Sequence, residues 1–353
     1  MTISDLEKKY EGFFSPTFSL KVNNTELKVK EGVTIQSLEC RLTTKRQAGS
    51  LLLSADLLSG SDIASSWLAT IQMGAVCTLA LGYQKSEKDV FSGFVYDVTW
   101  DDPLDTGIHH IEMICLDVLG QLMLSSCSDA GSARTLSQMV RTILNQPICK
   151  RVAKTVKLGD IPGDWDLPFQ RTGPTDFEIL CSAADFLCYE FYSFSDTVYF
   201  GPARSSSEVA VTYSGPRGLS LLRRRRTLAA QCAAVAVSGS DDKGDRIYAR
   251  KARTADQGYG IGNISDALKQ DIHQAEPAVR TMAQANFLAQ ARVQARQRQA
   301  SMLIGQGAGL PELRPGRLVK VSGLTNQVNG SYYIVNVTHT IDETGFGTYF
   351  EAE

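Results

Sequence analysis

The sequence predicts a mainly β protein carrying an α+β insertion. Three observations carry that reading: period-2 alternation of apolar and polar residues over 17–120, apolar residues at helical spacing over 125–205, and renewed alternation from 206 to the end. Phe18, Leu20 and Val22 alternate with polar neighbours, Asn23-Asn24 supplies a turn, and Leu27 and Val29 resume the pattern. Leu38, Cys40 and Leu42 follow, then Cys77, Leu79, Leu81 and Tyr83, then an eleven-residue run from Val90 to Trp100 through Phe94, Tyr96 and Val98. Ile111, Met113 and Cys115 continue on one face. Period 2 places each set on one side of its strand, and repeated half-buried strands with polar turns predict an antiparallel barrel or sandwich.

Between these strands, Ser61–Met73 predicts a short helix with Ser61 as N-cap and Ile63, Trp67, Leu68 and Ile71 near helical spacing. The middle block predicts a helix over Thr135–Asn145, stopped by Pro147. A second begins at Thr175-Asp176-Phe177-Glu178, where Thr175 and Glu178 have capping-box spacing. Tyr189–Phe200 then predicts a hairpin turning near Ser195-Asp196. After residue 206 come a strand at Ala233–Val237, a polar loop at Ser238–Asp245 and a glycine-rich loop at Ala255–Gly262. The longest helix is expected from Pro277 to about Leu303, with a stripe of Val279, Ala283, Phe287 and Ala291. Strands at Leu318–Val321, Tyr333–Ile341 and Phe346–Phe350 finish the chain. The expected domains are 1–125 (β), 126–205 (α+β) and 206–353 (β with the long helix).

Composition narrows the function. The chain has 353 residues, a net charge of −2 and 43% apolar residues, enough for a sizeable core and without a global bias toward nucleic acid or anionic membrane. The N-terminus lacks the apolar stretch of a secretory signal, and no apolar run approaches the roughly 20 residues of a membrane span, so no membrane anchor and folding in a cytoplasm are expected. The eight cysteines form no CxxC pair and read as reduced core thiols. His109 and His110 are adjacent, so in a strand they face opposite sides; with His273 and His339 they offer no metal set. No G-x-S-x-G elbow occurs, and Gly258-Tyr259-Gly260-Ile261-Gly262 matches neither a dinucleotide nor a Walker loop. The sequence therefore predicts no enzyme and no cofactor. Arg223-Arg224-Arg225-Arg226 is the one dense charge run. Flanked by Leu221, Leu222 and Leu228, it reads as a subunit interface or surface ion-pair site rather than a specific nucleic-acid patch.

Two segments carry a family resemblance. Thr175-Asp176-Phe177-Glu178-Ile179-Leu180, Ala183-Ala184-Asp185 and Tyr189-Glu190-Phe191-Tyr192 resemble the S/T-D-F-x-x-L…A…G-Y-x-F segment of the phage late control protein D family, tail hubs related to the hub part of VgrG. Cys188 stands where the family usually has glycine. Near the C-terminus, Pro315-Gly316, Val319, Val321, Gly323, Gly330, Tyr333, Val335, Val337, His339, Gly345 and Thr348 match the L-x-P-G-x-x-V-x-V-x-G…G-x-Y-x-V-x-x-V-x-H…G-[YF]-x-T ending. Phe91 and Gly93 match the x-F-x-G-x-V strand of the first barrel.

The resemblance implies two tube-type antiparallel β-barrel domains plus a small α/β domain. It implies a homotrimeric ring that adapts a sixfold tail tube to a threefold central spike, in a contractile phage tail, tailocin or contractile injection system. The implied partners are a separate spike protein (the chain ends at Glu353 after the last strand), a tail tube or tube initiator protein, baseplate wedge proteins and the tape measure protein. Assembly in a bacterial cytoplasm into a virion or tail-like particle follows. The alternatives are a hub-like baseplate protein of a non-contractile tail and a cell-wall hydrolase.

Overall fold

The computed structural model describes residues 1–84, 86–101, 107–126, 133, 135–161, 165, 175–254 and 268–353; Cys127 and the glycines between 258 and 262 lie outside them. After helix α1 (Ile3–Lys9) come strands β1 (Pro16–Val22), β2 (Thr25–Glu26), β3 (Val33–Thr43) and β4 (Ser50–Leu58). Helix α2 (Asp62–Thr70) precedes β5 (Val76–Tyr83), β6 (Ser86–Asp101) and β7 (Ile108–Leu116). The middle unit holds α3 (Val118–Met123), α4 (Leu136–Leu144), α5 (Pro147–Lys150), β8 (Thr155–Leu158), α6 (Asp176–Leu187), β9 (Tyr189–Phe194) and β10 (Thr197–Pro202). Then follow β11 (Val209–Ser214), β12 (Leu219–Arg226), β13 (Ala234–Ser240), β14 (Arg246–Ala252), β15 (Asp271–Ala275) and α7 (Met282–Arg298). β16 (Ser301–Ala308), β17 (Leu318–Ser322), β18 (Gly330–Asp342) and β19 (Gly345–Ala352) end the chain.

Thirteen strands form one sheet system in the order β12-β16-β19-β18-β3-β4-β7-β6-β5-β1-β2, with β17 on β18 and β11 on β17. Two sets of six strands share one wiring. The first runs β1-β5-β6-β7-β4-β3 and the second β11-β17-β18-β19-β16-β12. Numbered within its set by chain order, each reads 1-4-5-6-3-2. Corresponding pairs are antiparallel in both sets except the outermost, β1 on β5 being antiparallel and β11 on β17 parallel. The two fifth strands even share a bulge against their sixth, at Val95/Asp97 in β6 and Ile334/Asn336 in β18. β3 pairs antiparallel with β18 and joins the sets.

Alternation places the core as expected in most strands. Leu38, Cys40, Leu51, Leu53, Cys77, Leu79, Ile111, Met113 and Cys115 are fully buried and share one cluster with Val319, Val337 and Phe350 of the second set. Each such side chain contributes roughly 1.5–3 kcal/mol if its full area leaves water. β6 departs from simple alternation. The bulge at Val95/Asp97 shifts the parity, so Phe94 joins the second cluster while Tyr96 is 42% exposed. Gly93 sits where any Cβ would lie 2.3 Å from the Leu116 carbonyl oxygen, which explains a glycine in the middle of a strand.

The second cluster collects α3, α4, α6, β9 and β10 together with Val235, Val237, Ala249, Leu288 and Val293. The segment holding β13, β14, β15 and α7 thus packs with the middle unit. It is an insertion between β12 and β16, at the place where the first set has only the short link from β3 to β4. Helix α7 is shorter than the pattern predicts. Thr281 caps it, its hydroxyl accepting from the Gln284 amide while Gln284 Oε1 accepts from the Thr281 amide, and Pro277 lies before it. Its buried face is Ala285, Leu288, Ala289 and Val293; Ala283 is exposed, and residues 301–303 belong to β16. An alanine- and glutamine-rich helix has too weak an apolar stripe for periodicity alone to set its phase. Pro147 opens α5 at N1 as well as ending α4. No described helix is long and apolar enough to cross a membrane.

Candidate functional site

Several of the motif residues, among them Pro315, Gly316 and Thr348, lie at a three-way junction between the first set, the middle unit and the second set. The segment Gly309–Arg317, which connects β16 to β17, lies at its centre. Tyr83 Oη of β5 donates to the Gly309 carbonyl (2.9 Å), and the Leu310 amide donates to Thr348 Oγ1 of β19 (2.9 Å). Glu312 is 8% exposed and draws in Tyr10 Oη at 2.8 Å, Lys88 Nζ at 2.9 Å and Lys9 Nζ at 3.2 Å. Burial pushes its carboxyl up, but the bonds from Lys88 and Tyr10 outweigh burial and hold it below the usual carboxylate range. The Arg314 guanidinium lies over the Phe194 ring at 5.0 Å, and Arg317 pairs with Glu208 at 2.7 Å. Gly316 has φ +80°, and a Cβ there would sit 2.1 Å from Tyr192 Oη. The Pro315-Gly316 turn and the aromatic strand, two motifs far apart in the chain, are therefore complementary surfaces of one contact.

A second contact joins the same strands. Tyr333 Oη donates to Glu190 Oε2 at 2.6 Å. Burial pushes the Glu190 carboxyl up to about 7, against the Tyr333 bond and the Arg298 charge. Tyr192 and Tyr199 stack at 4.7 Å beside it, in a cleft of about 530 Å³ lined also by Lys157, Glu208 and Arg317. Val335 is buried at 3%. His339 is fully buried, with Nδ1 2.9 Å from Thr348 Oγ1, and burial pushes it down to about 4.

Thr175 and Asp176 have local duties. Thr175 forms the expected capping box with Glu178, and buried Asp176 accepts from Ser125 Oγ (3.1 Å) and Gln146 Nε2 (3.0 Å). Phe177 packs against Phe191 with 6.3 Å between ring centroids, and Leu180 is fully buried. Phe91 is buried beside Ser195, which bridges β6 to the turn between β9 and β10. Gly323 (φ +71°) closes the turn after β17, and Gly345 (φ +114°) closes the turn from β18 to β19; Gly330 opens β18 at φ +159°. Cys188 has φ +56° as the C-cap of α6, which is why glycine suits this position. A left-handed residue with a side chain costs about 1–2 kcal/mol, and glycine returns roughly half of that as unfolded-chain entropy. Cys188→Gly is thus expected to raise stability by about 0.5–1 kcal/mol. Cys188→Val should lower it by more than 1 kcal/mol, and urea melts of the three proteins check the order.

The arginine run divides as strand geometry requires. Arg224 donates to Ser301 Oγ (3.1 Å) and to the Gln327 carbonyl (2.7 Å), which Arg226 also reaches at 3.3 Å. Arg223 and Arg225 are exposed on the opposite side of β12. Sequence reasoning missed Asp117, Glu190 and Glu312. Each is an acidic residue in an otherwise apolar or aromatic stretch, a signal that marks a buried carboxylate but does not name its distant partners. Among the described residues no group of three His, Cys, Asp or Glu side chains could hold a metal ion.

Two β sets of the same strand order around an α/β unit define the fold, and solved phage tail proteins share it. Solved structures match it along nearly the whole chain. The 43 kDa tail protein of prophage MuSo2 from Shewanella oneidensis aligns at TM-score 0.66 and 16% identity, over 96% of this chain and 98% of that one. The tail protein from Neisseria meningitidis MC58 aligns at TM-score 0.68 and 12% identity, over 96% of each. An E. coli component of the type VI secretion system, described as structurally similar to the T4 tail proteins gp27 and gp5, aligns at 0.59 and 12%, over 94% of this chain and 76% of that one. No protein-family model and no curated protein matches the sequence. The chain thus shares its fold with solved phage tail proteins, the setting that the motif resemblance implied.

Proposed function

We propose that this chain is a non-enzymatic structural subunit of a phage tail or tail-like particle, the baseplate hub, which closes into a homotrimeric ring between a sixfold tail tube and a threefold spike. The duplication carries this reading. Each chain holds two β sets of one wiring, so three chains supply six equivalent elements. A threefold ring of such chains presents near-sixfold symmetry to a tube and true threefold symmetry to a spike. The fold likeness to phage tail proteins and to a type VI secretion component supports the same setting. The particle is a contractile tail, a tailocin or an injection system, and the hub's partners there are the central spike, the tube or its initiator, the wedge proteins and the tape measure protein. Its work is mechanical: it holds the spike and moves with or releases it on contraction. Light scattering on the purified protein is expected to give three times the 38.5 kDa chain mass, and end-on electron micrographs six lobes. A protein that stays monomeric at high micromolar concentration, with or without its spike, would defeat the proposal.

A further inference from the structure

Along their fifth, sixth, third and second strands the two sets correspond residue by residue. Their shared bulge aligns Asp97 with Asn336. Asp97 pairs with Ile114, Ile114 with Leu52, and Leu52 with Glu39. Asn336 pairs with Glu351, Glu351 with Ile304, and Ile304 with Arg223. Glu39 of β3 therefore corresponds to Arg223 of β12, Arg41 to Arg225, and Thr340 of β18 to Asp101 of β6. Within the chain, β3 pairs with β18, with Thr340 opposite Glu39 and Thr338 opposite Arg41. The counterpart joint, β12 on β6, is not made inside the chain. Among the described residues β12 has only β16 beside it, and β6 beyond its bulge has only β7. Seven strand spacings separate β12 from β6 in the sheet, roughly 34 Å along it.

We infer that β12 of one copy pairs antiparallel with residues 96–101 of β6 in a second copy, in the register that β3 and β18 already show. The inference rests on the ring reading and names its interface. Two further observations support it. Under β3, Val335 and His339 are 3% and 0% exposed; their counterparts Tyr96 and Trp100 are 42% and 39% exposed. An edge strand with two bare aromatics is the kind of surface that a neighbouring strand covers. The transferred register also matches charge. Arg223 falls opposite Asp101 of the partner subunit, and Arg225 falls opposite Thr99 of the partner subunit, diagonal to Asp97 and Asp101 of the partner subunit. Arg224 falls opposite Trp100 of the partner subunit. In the joint within the chain the Thr44 amide donates to the Val335 carbonyl at 2.9 Å. Its counterpart donor is Leu228, which is 48% exposed. Because the donor edge and the acceptor edge differ, the contact is head-to-tail, the kind that closes a ring.

Paired cysteines and charge swaps test this. Arg223→Cys with Asp101→Cys in one chain is expected to give disulfide-linked dimers and trimers on mild oxidation. Arg223→Cys with Asp97→Cys, four residues out of register, should give several-fold less, and either single substitution none above background. Reversing Arg223 and Arg225 to Asp, or Asp97 and Asp101 to Lys, should weaken association about tenfold, and all four changes together should restore it to within about threefold. A wild-type ring that neither crosslinks in register nor responds to the swaps would overturn this pairing and leave the ring reading standing. A wild-type monomer would overturn both.

Discussion

Asp117→Ala is expected to lower stability by about 4 kcal/mol, because one buried carboxylate serves four donors from three parts of the molecule. Asp117 is 1% exposed at the N-cap of α3. It accepts from the amides of Leu119 (2.8 Å) and Gly120 (3.3 Å), from the Gly49 amide at the link between β3 and β4 (2.8 Å), and from Ser193 Oγ of β9 (2.5 Å). Alanine would leave these donors buried and unpaired, and would uncouple the first β set from the middle unit. Ser193→Ala removes one bond of the four and should lose about 1 kcal/mol. Urea melts followed by circular dichroism measure both. An Asp117→Ala loss no larger than that of Ser193→Ala would show that the carboxylate is not the shared anchor.

The His339 ring is expected to stay neutral down to about pH 4, with a stability effect of about 3 kcal/mol. Its folded pKa lies below the unfolded value of 6.5, so the unfolded chain takes up the proton first as pH falls. The contribution is full above pH 6.5 and is lost as pH drops toward 4. Asp117 runs the other way. Burial raises it to about 6 against the pull of its hydrogen bonds, so its contribution is full below its unfolded value of 3.8 and is lost as pH rises through 6, again by about 3 kcal/mol. In the overlapping window the two oppose each other, but Glu190, which burial raises from 4.5 to about 7, adds to the Asp117 side, so wild-type stability is expected to fall as pH rises through that window. The difference between wild type and His339→Gln isolates the histidine: Gln should gain about 3 kcal/mol on wild type between pH 6.5 and 4. A ring-proton titration of His339 with a midpoint near 6.5 would contradict the burial argument.

Most strand faces were legible because a period of 2 needs only neighbours in sequence. Leu38-Cys40-Leu42 and Ile111-Met113-Cys115 are buried as the alternation predicts. The capping box at Thr175 and Glu178 was legible for the same reason, since its partners lie three residues apart. β6 was misread past Val95 because a bulge is set by the partner strand β7 and leaves no mark in the alternation of β6 itself. The start of α7 and the strand β16 were misread because an alanine- and glutamine-rich stripe has little contrast between faces.

The candidate site shows the same division. The sequence by itself determined the mainly β class, the α+β interruption, the two motif segments and the alternation of the arginine run. Only the tertiary structure decided that Pro315-Gly316 seats against Tyr192, that Glu312 gathers Lys9, Tyr10 and Lys88, and that the two β sets share one wiring joined through β3 and β18. The physical reason is range. Alternation and capping depend on neighbours a few residues apart, whereas strand order, register between sets and the partners of a buried carboxylate depend on residues that meet only when the whole core closes.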